Sequence, residues 1–168
     1  IAANNVGFGF YELGYAPYYP NNTRAYNNLI YSCGMGIQME INSAYSEPLS
    51  LWCNNIIHGT TDRDAGGRPY NLVVDRPYLE SNNTWDFADN SVVGSLMWWV
   101  PAEDVTVTDK DFVSLDLSQL SLPRKADGSL PDITFGHLVA ESDLIDKGVD
   151  VGLPYKGRAP DIGAFERK

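Results

Sequence analysis

Tyrosines in one proline-rich stretch are among the residues of this chain best suited to binding a ligand. Tyr15 and Tyr18 lie in Gly-Tyr-Ala-Pro-Tyr-Tyr-Pro at 14–20, where two prolines stiffen the backbone. Tyrosines held on a rigid loop can stack on sugar rings at a low entropic cost. Packing of the same rings against neighbouring parts of the chain is the alternative, and both interpretations stay open.

Two arginines occupy a second loop of interest. Arg63 and Arg68 lie in Thr-Asp-Arg-Asp-Ala-Gly-Gly-Arg-Pro at 61–69, which is an insertion relative to the repeats described below. The planar guanidinium fork matches a carboxylate, so either arginine suits an anionic ligand. An Asp–Arg ion pair that closes the loop on itself is an equally good interpretation.

Acidic residues offer two further kinds of chemistry. Glu12 and Glu40 could act as the paired carboxylates of a glycosidase, but the sequence does not give their separation. Four aspartates fall within thirteen residues and could bind calcium: Asp104, Asp109, Asp111 and Asp116. They lack the Gly and Glu placement of an EF-hand, which favours a solvated acidic turn.

The histidines and cysteines favour structural roles. His58 and His137 have no neighbouring Ser or Cys and no metal-spaced partner. Cys33 and Cys53 stand at different offsets from the nearest Asn pair, so a stacked repeat does not bring them together by itself. Buried thiols are the favoured interpretation, and a disulfide stays open.

Strands must position the remaining candidates. In residues 34–42 the odd positions are apolar and the even positions are Gly, Gln, Glu and Asn, which predicts a strand with one buried face. The same alternation around Gly7–Phe10 and at 70–75 predicts two more such strands. Their outward residues are candidates to line a binding groove, with an ordinary solvated strand face as the alternative: Tyr11, Gln38, Glu40, Asn71 and Asp75.

These strands belong to a repeat. Asn pairs occur at 4–5, 27–28, 54–55 and 82–83, in steps of 23, 27 and 28 residues, and the glycine-rich stretches recur 27 residues apart. Such a period is typical of a solenoid repeat. Stacked Asn side chains can hydrogen-bond in a ladder, and Asn tolerates the left-handed backbone of a corner. We therefore predict that all four pairs stack at one corner, with two strands in each repeat.

Composition agrees with one all-β unit and excludes two classes of protein. The 168 residues are 43% hydrophobic, and glycine, proline and asparagine interrupt every stretch long enough for a helix. A net charge of −10 argues against nucleic-acid binding. The sequence contains no run of eighteen apolar residues, so no membrane span is expected.

The repeats end near residue 94, which divides the chain into repeats at 1–94 and an irregular tail at 95–168. The tail is predicted to pack on the end and side of the repeats, with Trp98 and Trp99 as an apolar plug. The chain opens at Ile1 inside what should be a repeat, without Met, leader or cap. We therefore expect it to be the C-terminal part of a longer protein.

Motifs of the tail point to a known family. They are Ser114-Leu115-Asp116, Pro-Arg-Lys-Ala-Asp-Gly-Ser-Leu-Pro at 123–131, Ser-Asp-Leu-Ile-Asp-Lys-Gly-Val-Asp at 142–150, and Ala-Pro-Asp-Ile-Gly-Ala-Phe-Glu at 159–166. Their order resembles the C-terminal end of right-handed parallel β-helix proteins. Among these the chain looks most like polysaccharide lyase family nine, the bacterial pectate and rhamnogalacturonan lyases. The last motif is shared by β-helix proteins of different activities.

The resemblance implies a lysine base and calcium held by aspartates, two of them adjacent in sequence. Calcium neutralises the uronate carboxylate and so acidifies the neighbouring carbon. In this chain the first lysine is Lys110, and no Asp-Asp pair occurs. Either the catalytic repeats precede Ile1, which we favour, or this relative has other chemistry.

We therefore expect part of a secreted, periplasmic or cell-surface lyase that cleaves plant cell-wall polysaccharide by β-elimination. Its partners would be that polymer and the remainder of the β-helix before Ile1. A glycoside hydrolase on the same fold and a non-catalytic carbohydrate-binding or adhesin β-helix are the alternatives. A leucine-rich repeat also has one Asn per repeat, but its Leu-x-x-Leu-x-Leu frame is missing.

Overall fold

Short strands account for the regular structure in the first part of the chain. The computed structural model describes residues 1–5, 8–13, 24–33, 35–40, 51–59, 72–74, 79–81, 84–85, 92–94 and 105–167. The strands are β1 (Ala2–Ala3), β2 (Phe8–Leu13), β3 (Arg24–Tyr26), β4 (Leu29–Tyr31), β5 (Met35–Glu40), β6 (Leu51–Cys53), β7 (Ile56–His58), β8 (Leu72–Val74), β9 (Leu79–Ser81), β10 (Thr84–Trp85) and β11 (Val92–Gly94). These ranges contain no α-helix, only 3-10 helices at Asp109–Asp111 and Leu117–Ser121.

The strands form parallel sheets in which each strand pairs with the third strand along the chain. Sheet 1 has the order β1-β4-β7-β10, sheet 2 has β2-β5-β8-β11, and sheet 3 has β3-β6-β9. All of the described strand pairings are parallel. The chain therefore returns to the same three sheets in the same order, which is a strand-dominated fold as the sequence predicted.

Each repeat contains three strands, so the prediction of two was wrong. The stretch 23–31, expected as one strand, is divided at its Asn pair into β3 and β4, which belong to different sheets. The same division separates β6 from β7. Asn27 and Asn54 have φ of 52° and 57°, and a left-handed residue cannot continue a strand. The Asn pair therefore turns the chain from sheet 3 into sheet 1.

Length varies at one sheet only. Register partners in sheets 1 and 3 are 27 or 28 residues apart throughout. In sheet 2 the steps are 27, 35 and 20 residues, as in Phe8↔Met35, Ile37↔Leu72 and Leu72↔Val92. Residues inserted or removed between repeats therefore fall in the connections beside sheet 2.

The Asn corner of β3 and β4 is hydrogen-bonded as predicted. Asn54 Nδ2 donates to Asn27 Oδ1 at 3.0 Å, and Asn28 Nδ2 donates to Asn55 Oδ1 at 2.9 Å. Asn54 and Asn55 are fully buried, so the ladder satisfies amide groups that water cannot reach. Asn82 and Asn83 lie outside the described residues.

Asn4 belongs to a different corner, which corrects the prediction of one four-membered ladder. The register Ala3↔Tyr31 places Asn4 level with Ser32, and Tyr31↔His58 places Ser32 level with Gly59. All three have a left-handed φ, of 54°, 52° and 59° respectively. Asn4 therefore marks the corner that follows β1, β4 and β7. The step of 23 residues, shorter than any other, was the sign that this pair was out of phase.

The tail packs against the side of sheet 1. One apolar cluster joins Leu29 and Ile56 of sheet 1 to the buried tail residues Val107, Phe112, Phe135, Leu138, Leu144 and Ile162. Tyr31 contacts the ring of Phe135 edge-on, with centroids 5.7 Å apart. The alternate strand residues Ile30 and Ile57 are also fully buried, on the opposite face of the sheet. Sheet 1 is thus covered on both faces.

Cys33 and Cys53 are buried and do not form a disulfide, in agreement with the favoured interpretation. Burial raises the pKa of the Cys33 thiol. The described segments also include no helix long and apolar enough to cross a membrane.

Candidate functional site

Sheet 2 aligns two of the predicted ligand-binding residues. The register pairs Tyr11 with Gln38, and Gln38 with Val73. Glu40 is level with Leu13. Paired positions of neighbouring strands lie about 5 Å apart on one face, so Tyr11, Gln38 and Glu40 share a face of sheet 2 by register.

The register separates the two glutamates proposed for a hydrolase. Glu12 is level with Met39, whereas Glu40 is level with Leu13. Because successive positions of a strand alternate between faces, Glu12 and Glu40 belong to opposite faces of sheet 2. Paired carboxylates must face the same sugar bond, so this pair does not suit that chemistry.

Several of the other candidates lie outside the described residues. They are Tyr15, Tyr18, Arg63, Arg68 and Asp75, together with Asp104 and the Trp98–Trp99 pair.

Coverage by the tail removes sheet 1 from the surfaces open to a polymer. On its outer face Leu29, Ile56 and His58 are each at most 3% exposed. His58 Nε2 lies 2.8 Å from Asp109 Oδ1, and the His58 ring stacks on Phe112 with centroids 5.5 Å apart. These contacts make His58 a structural link between β7 and the tail, in line with its predicted role.

Aspartates in the predicted acidic turn are occupied by local hydrogen bonds. Asp111 is 7% exposed and accepts from Thr108 N at 2.8 Å and from Ser142 Oγ at 2.8 Å. Asp116 accepts from Ser118 N at 2.9 Å, and hydrogen bonds from Ser118 lower the pKa of that carboxyl. The favoured interpretation as a turn is consistent with this geometry.

The terminal motif uses its carboxylates to fasten backbone. Asp161 is 2% exposed and accepts from Asp146 N at 2.9 Å and from Arg167 N at 2.7 Å. Glu166 in turn accepts from Asp161 N at 3.1 Å and Lys156 N at 3.2 Å. These acids close the terminal loops on one another, which explains why the motif indicates a fold rather than a reaction.

The residues described do not fit a calcium ion. Calcium takes six to eight oxygen ligands, with several carboxylates converging on one point. Within the described ranges no three His, Cys, Asp or Glu side chains are grouped so that they could hold a metal. We therefore assign no metal ligand and no reaction step through calcium to these residues.

A groove between the tail and the Asn corner was not predicted from the sequence. It has a volume of about 780 Å³ and is lined by residues that include Arg124, Leu130, His137 and Phe165. The rings of His137 and Phe165 stack with centroids 4.0 Å apart and an interplanar angle of 11°. These residues come from irregular segments without periodicity, so no sequence signal brought them together.

Comparison with known proteins identifies relatives for part of the chain. A segment of 58 residues is 48% identical to pectate lyase L of Dickeya dadantii (strain 3937) and 47% identical to pectate lyase L of Dickeya chrysanthemi. The match covers 34% of this chain and 14% of each relative's length. No protein-family model matches the chain.

The architecture is similar to that of a solved lyase. The structure matches the crystal structure of pectate lyase Pel9A with a TM-score of 0.58 at 24% sequence identity. The match covers 99% of this chain and 34% of the Pel9A chain, so this chain spans about a third of that protein. The two share a fold, and the chain resembles the pectate lyases of polysaccharide lyase family nine.

Proposed function

We propose that this chain is part of a secreted polysaccharide lyase that cleaves uronate-containing plant polymers by β-elimination. The observation that carries the proposal is the segment 48% identical to pectate lyase L. The recurring three-sheet order supports the finer proposal that the repeats form a right-handed parallel β-helix whose tail, 95–168, packs on its side.

We assign the substrate face to sheet 2. Sheet 1 is covered by the tail, whereas the register of sheet 2 aligns Tyr11, Gln38 and Glu40. An extended polymer lying across parallel strands meets one side chain from each repeat, so a row of aromatic and polar residues suits successive sugars. We include Tyr15, Tyr18, Arg63, Arg68 and Asp75 in this binding surface, with the arginines as partners for uronate carboxylates.

The lysine base and the calcium ligands implied by the resemblance are proposed to lie outside the described residues. Two observations support this: the first lysine of the chain is Lys110, and the described side chains form no metal-binding group. The remainder of such a β-helix would be the structural partner of this chain.

Product analysis of the intact protein tests the reaction. Incubation with polygalacturonate or rhamnogalacturonan should raise the ultraviolet absorbance, because β-elimination leaves an unsaturated sugar, and a calcium chelator should abolish the rise. New reducing ends without absorbance would indicate hydrolysis instead. Binding with neither product would indicate a carbohydrate-binding or adhesin protein.

A pair of variants tests the assignment of the face. Gln38→Ala should raise KM for the polymer several-fold, because one polar contact with the substrate is lost. Arg24→Ala is the control, since Arg24 is exposed and lies on sheet 3. An equal effect of both changes, or none from Gln38→Ala, would contradict the assignment to sheet 2.

A further inference from the structure

The groove beside the Asn corner has the features of a ligand site. Its volume of about 780 Å³ falls in the range of small-molecule pockets, roughly 300–1,000 Å³. It is lined by Asn27 at the corner between sheets 3 and 1, together with tail residues. It is therefore separate from the face of sheet 2.

The groove combines an aromatic base with aliphatic walls. The stacked rings of His137 and Phe165 are half-buried, so each keeps some exposed area. Leu120, Leu122 and Leu130 also line the groove and are 40%, 47% and 67% exposed. Such a surface suits a ligand with apolar faces, and sugar rings carry C–H groups that pack on aromatic side chains.

A basic residue stands beside this apolar surface. Arg124 Nη1 donates to Gly128 O at 2.9 Å, which orients the guanidinium and leaves further N–H donors for a ligand. The acidic lining residue Asp132 is balanced by Lys125, whose Nζ lies 2.7 Å from Asp132 Oδ1. The whole chain carries a net charge of −10, so this local excess of positive charge distinguishes the groove from the rest of the surface.

We propose that this groove is an accessory binding site for a uronate-containing oligosaccharide, with Arg124 binding a carboxylate and the His137–Phe165 pair supporting a sugar ring. The choice of ligand class rests on the proposed function. A second site on the tail would hold the polymer near the protein without contacting the reacting sugars.

Retardation in a gel that contains polygalacturonate measures this binding without catalysis. We expect Arg124→Ala to weaken the binding of the intact protein about tenfold or more, as for loss of a hydrogen bond to a charged group. Arg124→Lys should restore only part of it, because an ammonium cannot form the bidentate pair. Arg158→Ala is the matched control, since Arg158 is 91% exposed and lies outside the groove lining. Equal effects of Arg124→Ala and Arg158→Ala, or no effect of either, would overturn the proposal.

Histidine resonances locate the ligand. Addition of oligogalacturonate should shift the His137 ring signals and leave those of the buried His58 unchanged. An unshifted His137 would mean that protein, a second copy or another segment, fills the groove, and would overturn the proposal.

Lyase activity separates this inference from the proposed function. A protein that yields unsaturated products but is insensitive to Arg124→Ala keeps the proposed reaction and loses the accessory site. A protein that binds through Arg124 without yielding such products keeps the site and loses the reaction.

Discussion

Asn54 shows how one side chain can join two parts of the molecule. Its Nδ2 donates both to Asn27 Oδ1 at 3.0 Å and to Val149 O at 2.9 Å. Its Oδ1 accepts from Val149 N at 2.9 Å. The amide therefore pairs with the backbone of the tail as a strand would, while it also stacks on the preceding repeat. Its φ of 57° adds a backbone requirement that Asn meets well.

Replacement of Asn54 should be among the costly single changes in this chain. Asn54→Ala leaves Val149 N, Val149 O and Asn27 Oδ1 without this partner, and each buried group so left costs about 1–3 kcal/mol. We expect the free energy of unfolding to fall by about 3 kcal/mol or more, measured by urea denaturation. Asn4→Ala is the control, because Asn4 is also left-handed but exposed. Equal losses for the two variants would contradict this account.

Asp146 makes the terminal loops sensitive to acid. Its Oδ1 accepts from Arg158 N at 2.8 Å, and hydrogen bonds from the Arg158 and Ala159 backbones hold the pKa of Asp146 below its ordinary value. A carboxyl whose pKa is lower in the folded state stabilises the fold above its unfolded pKa of about 3.9. That contribution is lost as the pH falls through the folded value.

Asp146→Asn should therefore reduce stability most at neutral pH. The difference from the unchanged protein is expected to narrow as the pH falls below about 4, because protonation removes the same interaction. Asn tolerates the φ of 57° at this position, so the backbone contributes little. Urea unfolding between pH 3 and pH 7 measures the effect, with the exposed Asp143→Asn as control. A gap that stays constant or widens in acid would contradict the assignment.

At the scale of elements, the tail approaches sheet 1 so closely that glycine is needed at the contacts. A Cβ at Gly136 would lie 2.7 Å from Leu29 Cδ2, and one at Gly163 would lie 2.6 Å from Ile56 Cδ1. Leu29 and Ile56 are buried in the shared cluster, so neither can move aside freely. The tail is thus fitted to the sheet by shape as well as by apolar area.

Two glycine substitutions separate crowding from backbone strain. Gly136 and Gly128 both have positive φ, of 73° and 84°, but a Cβ at Gly128 would meet nothing within 4 Å. Both changes to alanine incur the left-handed penalty, whereas only Gly136→Ala overpacks the contact, at a further cost of about 1–3 kcal/mol. Calorimetry should therefore show a larger fall in Tm for Gly136→Ala. Equal falls would mean that the tail–sheet contact yields without cost.

At the scale of the whole molecule, the periodic part could be predicted from sequence and the tail could not. Stacking of Asn27–Asn54 and their left-handed backbone followed from the chemistry of the residue and its 27-residue step. Asn4 was misplaced because residue type was matched without phase, although its position three residues before Gly7 differs from that of Asn27 before Gly34. The docking of the tail depends on contacts such as Asn54–Val149, 95 residues apart, which no local pattern encodes.

The candidate site divides along the same line. Alternation placed Tyr11, Gln38 and Glu40 on one face of a sheet, and the register agrees with that arrangement. The groove at Arg124 was missed because its residues come together through irregular turns. Strand periodicity is a local property, whereas a cavity between segments depends on how distant parts of the chain meet.

The shared cluster predicts that repeats and tail unfold together. Amide exchange should report one global opening free energy for Ile56 N, bonded within the Asn corner, and for Val139 N, bonded within the tail. Phe135→Ala, at a fully buried position, should lower protection at both amides, by about 3–5 kcal/mol. Loss of protection at Val139 alone would show that the tail opens as a separate unit.

The constant 27- and 28-residue steps of sheets 1 and 3, set against steps of 27, 35 and 20 in sheet 2, have an evolutionary consequence. Mutation can lengthen or shorten the connections beside sheet 2 while the hydrogen-bonded corners keep their spacing. Recognition of new polymers can therefore be acquired by exchanging these connections, and a designer can graft loops there without redesigning the scaffold.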